Sequence, residues 1–229
     1  MPRRRESDEA GAHRVRMDAC MPRGAFGFCE DGYRVTWMPT RSELLRTYRL
    51  RADVFCRELR WVGSRTDLFE CDEFDDGSTP IVVVDPLGEV AATARLVGSD
   101  NPWMFDRVFQ GLCPPGVIRR NGAMEASRLT VAEHARGVRL ANGKWVSELV
   151  FKAVYALCAQ RGVRYVYMVT SDVVARLLRS AGLPCETLAP YTRMPDGVRA
   201  APLMLDWGRL DGSRRNHRWY EEGLRAVLL

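Results

Sequence analysis

The stretch Ile81-Val82-Val83-Val84-Asp85-Pro86-Leu87-Gly88-Glu89-Val90-Ala91-Ala92-Thr93-Ala94-Arg95-Leu96-Val97 decides the fold. Its β-branched run reads as a buried strand, Asp85 to Gly88 are turn residues, and Glu89 to Val97 returns as the hairpin partner. Small side chains at Ala91, Ala92 and Ala94 line that partner. Upstream, Tyr33 to Trp37 is a short strand, and Thr40-Arg41-Ser42-Glu43 has the Ser/Thr-x-x-Glu form of a capping box, so a helix should follow. Its apolar set Leu44, Leu45, Tyr48, Ala52 and Phe55 recurs at three- and four-residue steps, as one buried face requires. Between that helix and the hairpin, the acidic stretch Asp67 to Asp76 lacks periodicity and reads as a long loop.

Downstream of a Pro- and Gly-rich connection at Pro114-Pro115-Gly116, Met124 to Val131 is a further strand. A helix from Gly143 to Gln160 carries Trp145, Leu149, Val150, Ala153, Val154 and Leu157 along one face. Arg164 to Thr170 is a strand, Val173 to Ser180 a helix stopped by Gly182, and Pro202 to Trp207 the last strand. The tail Gly208 to Leu229 adds a short helix. An antiparallel start followed by strand, helix, strand, helix, strand predicts an α/β (α+β) three-layer sandwich with helices on both faces of a mixed sheet. Residues 31–229 form one domain on this reading. Residues 1–30, rich in Arg, Asp, Glu, Gly and Pro, form a disordered extension.

With 229 residues and 46% hydrophobic content the chain can bury a full core. The net charge of +5 is nearly all arginine, since lysine occurs only at Lys144 and Lys152, and it is spread along the chain. There is no helix-turn-helix, zinc-module or aromatic RNA-binding pattern, which argues against nucleic acid. Seven dispersed cysteines without a CxxC pair, and three distant histidines, support neither a metal site nor a disulfide framework. No apolar run approaches the roughly 20 residues of a membrane span, and MPRRRES lacks the apolar stretch of an export signal. A cytoplasmic, reduced protein is expected.

Three charged stretches stand out. Arg51 and Phe55 are four apart on one helix and share a face, followed by Trp61 and then Asp72-x-x-Asp75. Arg95 lies on the hairpin strand. Glu125-x-Ser127-Arg128 lies on a central strand, where alternation points Glu125 and Ser127 one way and Arg128 the other. Each has a structural alternative: Arg51 solvated at a helix edge, the aspartates capping a loop, Trp61 as a core anchor, Glu125 paired with Arg95.

Taken in order, Arg51, Phe55, Trp61, Asp72, Asp75, Arg95, Phe105, Glu125 and Arg128 resemble the signature of the LuxI-type acyl-homoserine-lactone synthases. So do Glu125-Ala126-Ser127-Arg128-Leu129-Thr130-Val131 and Leu177-Leu178-Arg179-Ser180-Ala181-Gly182-Leu183-Pro184. The resemblance runs from Tyr33 to Trp207. It implies a fold related to the N-acetyltransferases, an acyl carrier protein as usual acyl donor, and S-adenosylmethionine as a substrate, with no cofactor. By that similarity Arg51, Phe55, Trp61 and Phe105 shape the S-adenosylmethionine pocket, while Asp72, Asp75, Arg95, Glu125 and Arg128 organise the reacting centre.

A free α-amino group has a pKa near 8, so a base is needed before it attacks a thioester, and Glu125 is the candidate. Trp103, Met104, Ser127, Leu149, Met168, Thr170 and Leu178 are expected to line the acyl pocket. In the family a threonine on the Arg164 to Thr170 strand accompanies 3-oxo donors. Met168 aligns there, with Thr170 two residues on, which implies an unsubstituted chain. Arg136, Arg139, Lys144, Lys152, Arg176 and Arg179 are candidates for contact with an acidic carrier.

Two other readings compete. Ala135 to Ala141 partly resembles the phosphate-cradling loop of acyl-coenzyme A-dependent N-acetyltransferases, but Arg139 stands where a glycine is usual. A nucleic-acid-binding regulator has only the arginines in its favour.

Overall fold

A computed structural model of the chain describes residues 26–63, 68–113, 119–210 and 215–228. Among these, nine strands form one sheet: β1 (Gly27–Glu30), β2 (Tyr33–Thr36), β3 (Ser78–Val84), β4 (Val90–Val97), β5 (Met124–Val131), β6 (Tyr165–Ser171), β7 (Cys185–Thr187), β8 (Thr192–Arg193) and β9 (Arg199–Asp206). Their order is β1-β2-β3-β4-β5-β6-β9-β7, with β8 also on β9. The β5–β6 pair is parallel and the others are antiparallel. The helices are α1 (Arg41–Arg51), continued by a π-helical segment Ala52–Glu58, then α2 (Met104–Arg107), α3 (Glu148–Gln160), α4 (Asp172–Ser180) and α5 (Arg215–Leu228).

The local signals act as expected. The Thr40 hydroxyl accepts from the Glu43 N–H, and the Glu43 carboxylate accepts from the Thr40 N–H at 2.8 Å, so the capping box closes. Gly182 ends α4 at φ 82°. Alternation then sorts the sheet into two faces. Ile81, Val83, Ala92, Ala94 and Leu96 pack under α3, with α4 and α5 adding Ala175, Leu178, Trp219 and Tyr220. Val82, Val84 and Val90 pack under Leu50, Val54 and Phe55. Helices thus cover both faces of a mixed sheet, the sandwich predicted.

The helix read from Gly143 begins only at Glu148, leaving Trp145 before it, and α2, β7 and β8 had no predicted counterpart; three further details differ. The α1 face that is buried comprises Glu43, Thr47, Leu50 and Arg51, while Leu45 is exposed. Polar residues occupy the inner face because α1 covers a charged site, which hydrophobic periodicity does not register. The packed domain starts by Gly27, since β1 pairs with β2 and Phe28 is in the core. The rest of the expected extension, residues 1–25, lies outside the described residues. β1 is anchored by Glu30, which accepts from Lys152 Nζ at 2.6 Å, Trp219 Nε1 at 2.6 Å and Asn142 Nδ2 at 2.8 Å. Finally, Cys29 is disulfide-bonded, against the expectation of thiols throughout, whereas Cys56, Cys71, Cys113, Cys158 and Cys185 are thiols.

Candidate active site

The site forms where β4 and β5 turn side chains toward α1 and α2. Arg95 pairs with Ser127 and Thr93 with Thr130, so two steps on β4 face three on β5. The extra residue makes a bulge, and Arg128 takes φ 54°, uncommon for a residue with a Cβ. The expected alternation, with Arg128 opposite Glu125 and Ser127, therefore fails. The bulge brings Arg128 onto the partners of Arg95.

Those partners form an interlocked set. Arg51, 3% exposed, gives Nε to Glu70 and a two-pronged contact to Asp75, at 2.7 and 3.0 Å. Arg128 gives Nε to Glu70 at 2.9 Å and Nη2 to Asp72 at 2.7 Å. Arg95 binds Asp72 through Nη1, lies 3.0 Å from Asp75 and donates Nε to the Ser127 hydroxyl at 3.0 Å. Three guanidinium groups thus meet three carboxylates, the matching that buried charge requires. Burial acts to raise the pKa of Asp75, but the hydrogen bonds and charge of Arg51 hold it below the ordinary value.

The solvated-edge reading of Arg51 is overturned. The loop-capping reading of the aspartates holds alongside their ion pairs: Asp75 accepts the Asp72 N–H at 2.8 Å, and Asp72 the Phe74 N–H at 3.0 Å.

Glu125, 1% exposed, does not form the salt bridge with Arg95 that was its structural alternative, since the Arg95 donors go to Asp72, Asp75, Ser127 and the Met104 sulfur. Its two oxygens accept the backbone N–H groups of Met104 at 2.9 Å and Phe105 at 2.6 Å. Burial pushes its carboxyl up to about 7, against the opposing pull of those N–H groups, Arg95 and Arg119. The Phe105 ring is buried edge-on against Tyr167, centroids 5.7 Å apart. Phe105 is thus part of the site's floor, away from the outer rings. Phe55 lies under the Arg128 guanidinium at 5.3 Å, and Trp61 lies 6.1 Å from Phe55 with 46% of its surface exposed, so it is not a core anchor.

β5 and β6 pair only at Met124–Val166 and Glu125–Tyr167, although both strands continue. Beyond Glu125 the two strands are no longer paired. The expected acyl-pocket residues fall on both faces of the sheet. Trp103, Met104 and Ser127 lie with the charged cluster, where Ser127 is a partner of Arg95. Leu149, Met168 and Leu178 lie in the core under α3, and Thr170 shares the Met168 side of β6.

An autoinducer synthase family model matches residues 37–206. The chain belongs to that family, the LuxI-type acyl-homoserine-lactone synthases. The synthase is 33% identical over 148 residues to the acyl-homoserine-lactone synthase of Aeromonas hydrophila, covering 62% of this chain and 69% of that one. It is 29% identical over 167 residues to that of Ralstonia nicotianae, covering 71% and 80%. Among solved structures, TofI in a ternary complex with an inhibitor and MTA superposes with a TM-score of 0.64 at 22% identity, over 76% of this chain and 91% of that one. BjaI, a CoA-dependent acyl-homoserine lactone synthase solved with SAM and isopentyl-CoA, gives 0.63 at 21%, over 80% and 82%.

Of the expected carrier contacts on the synthase, Lys152 is corrected. Its side chain is 5% exposed and bound to Glu30 inside the packing of β1, α3 and α5. Lys144 is largely covered and pairs with Glu148. Arg136, Arg139, Arg176 and Arg179 are exposed, with Arg139 stacked 3.7 Å from the Trp145 ring. Sequence reasoning missed Glu70, which joins Arg51 to Arg128. The signal was available in Glu70-Cys71-Asp72-Glu73-Phe74-Asp75, where Glu70 precedes the paired aspartates by one alternation. Tyr167 and α2 gave no comparable pattern. Among the described residues, no group of three or more His, Cys, Asp or Glu side chains is arranged to hold a metal ion, and no helix is long and apolar enough to cross a membrane.

Proposed function

We propose that this synthase transfers an acyl group from a thioester to the α-amine of S-adenosylmethionine and then closes the product to the lactone, consuming S-adenosylmethionine as substrate without a cofactor. The observation that carries the assignment is the interlocked Arg51, Arg95 and Arg128 cluster beside a buried Glu125 at the split between β5 and β6. Arg51, Phe55 and Trp61 form the outer wall of the sulfonium substrate's pocket, with Phe105 bracing α2 beneath it. Asp72, Asp75, Arg95 and Arg128 hold the substrate in register.

In the first step the amine attacks the thioester carbonyl, the C–S bond breaks and the thiol leaves. Glu125 takes the amine proton, directly or through a water. A carboxylate has about four acceptor sites, so its two N–H contacts leave capacity for this, and a pKa of about 7 suits a base at neutral pH. Backbone N–H groups of β5 beyond Glu125, free of β6 pairing, stabilise the oxyanion. In the second step the substrate carboxylate attacks its own γ-carbon, and the C–S electron pair neutralises the sulfonium as methylthioadenosine departs. Positioning is the protein's main contribution there.

The acyl chain passes through the strand split toward Leu149, Met168, Thr170 and Leu178. An acyl carrier protein is the donor that the surface supports best. Exposed Arg139 and Arg179 offer it positive charge, Arg136 and Arg176 add to it with Glu58 and Asp172 as their present partners, and a groove of about 630 Å³ between α3, α4 and α5 adds Arg218, Trp145 and Trp219. The cytoplasm, where acyl thioesters and S-adenosylmethionine are made, is its place of action.

Incubating the purified chain with S-adenosylmethionine and acyl thioesters, followed by mass spectrometry, tests the proposal. Acyl-homoserine lactone and methylthioadenosine in equal amounts are expected. Tight coenzyme A binding with no affinity for S-adenosylmethionine would sink it in favour of a general N-acyltransferase.

A further inference from the structure

A second cavity, of about 130 Å³, lies between α1 and strands β3 and β4, against the charged cluster. That is well above the roughly 10–15 Å³ that one water needs. Its walls include Thr47, Tyr48, Arg51, Asp75, Arg95 and Arg128. Thr47 stands one helical turn before Arg51, so both project from the same side of α1. It is 1% exposed, and its hydroxyl has no hydrogen-bond partner among the described residues. A helical threonine commonly turns its hydroxyl back to the carbonyl four residues earlier, and Thr47 does not. Thr93, the other threonine of the wall, is committed to the Ile81 carbonyl at 2.8 Å.

A second shortage lies beside it. Arg95 Nη2 and Arg128 Nη1 both end on the Met104 thioether sulfur, at 3.1 and 3.3 Å. Sulfur is a weak acceptor, and guanidinium donors bind carboxylate oxygens far better. Arg95 and Arg128 share the cavity wall with the uncommitted Thr47 hydroxyl, and the one carboxylate of that wall, Asp75, is already taken by Arg51 and the Asp72 N–H, so the wall has donors to spare for a further anionic oxygen. Buried polar groups left in that state point to a partner supplied from outside the chain.

We propose that Thr47 is a positioning residue for the carboxylate of the sulfonium substrate, its hydroxyl donating to that group as Arg95 and Arg128 draw it toward the cavity. The inference rests on the proposed lactone-forming reaction, in which the same carboxylate is the nucleophile of the second step. A neutral donor orients that oxygen while neutralising its charge less than a further cation would.

The test compares Thr47→Val, which keeps the shape and removes the hydroxyl, with Thr47→Ser, which keeps the hydroxyl. In steady-state assays of the full chain, Thr47→Val is expected to raise KM for S-adenosylmethionine about tenfold, the scale of a lost hydrogen bond to a charged group. KM for the acyl thioester stays unchanged, and Thr47→Ser stays within about twofold of the parent. An unchanged KM in Thr47→Val overturns the proposal, whether or not its melting temperature moves, because a water-filled or purely structural cavity gives that result. A rise in both KM values, equal in the two variants, overturns it as well. Calorimetric titration of S-adenosylmethionine separates the two levels of failure. A parent that binds none removes the proposed function, whereas equal binding by the parent and Thr47→Val removes only the role of Thr47.

Discussion

The two faces of the sheet are made from alternate residues of the same strands, yet they are held together by different physics. On β4, Arg95 joins an array of ion pairs, while its neighbours Ala94 and Leu96 enter the apolar packing under α3. On β6, Tyr167 braces α2 beside Glu125, while Met168 faces Leu149 and Leu178 on the other side. The charged face demands specific partners at specific distances, since a guanidinium without its carboxylate is costly in the interior. The apolar face demands volume, which many side chains supply. The proposed sulfonium substrate belongs to the first kind of environment and the acyl chain to the second.

The largest expected effect that sharpens this contrast is Arg51→Met. It takes from buried Glu70 and half-buried Asp75 one of the two guanidinium partners each has, leaving Arg128 and Arg95 to carry them, so unfolding in urea should show a loss of about 3 kcal/mol, together with loss of S-adenosylmethionine binding. A loss under 1 kcal/mol would mean that the array is not the support described. Leu149→Ala, on the opposite face, is expected to lose about 2–5 kcal/mol through the cavity it leaves. Its affinity for S-adenosylmethionine should stay within about twofold. If that affinity falls as it does for Arg51→Met, the faces do not act separately.

How far the sequence revealed each face follows the same division. The capping box at Thr40, the turn at Asp85 to Gly88 and the strand at Met124 to Val131 are local signals, and each forms where it was read. The charged residues were legible as a set because specific partners leave an ordered pattern. The bulge at Arg128 was not, because no glycine marks it and it arises from pairing with β4, some thirty residues away. β1 was hidden for a related reason: its Glu30 anchor is supplied by Lys152 and Trp219, far along the chain. The acyl face was the least legible, since Leu149, Met168 and Leu178 satisfy a core and a lipid-like chain equally well.

Titration gives a smaller test. A base must be unprotonated, so kcat/KM should rise with pH through about 7, falling tenfold per unit below it, as the raised carboxyl of Glu125 dictates. Stability has the opposite sign. A folded-state pKa above the unfolded value favours the fold below the unfolded pKa, and the advantage is lost as pH rises through about 7. The melting temperature of the parent relative to Glu125→Gln should therefore decline between about pH 5 and pH 8; a constant difference would refute the assigned shift.

The smallest effect concerns the outer surface. Charge reversal at Arg176 and Arg179 should lower kcat/KM for an acyl carrier protein thioester by about tenfold or less, in a salt-dependent way. A small free thioester should be used as before. Equal loss with both donors would show that these arginines serve the fold and not a partner.

The most direct measurement is turnover of Glu125→Gln alongside its binding of S-adenosylmethionine. A positioned base is worth about 10²–10⁴-fold, so lactone formation should fall at least a hundredfold while S-adenosylmethionine binds within a few-fold of the parent. Near-parent turnover would contradict the account, because the charged face would then hold the substrate without supplying the group that activates it.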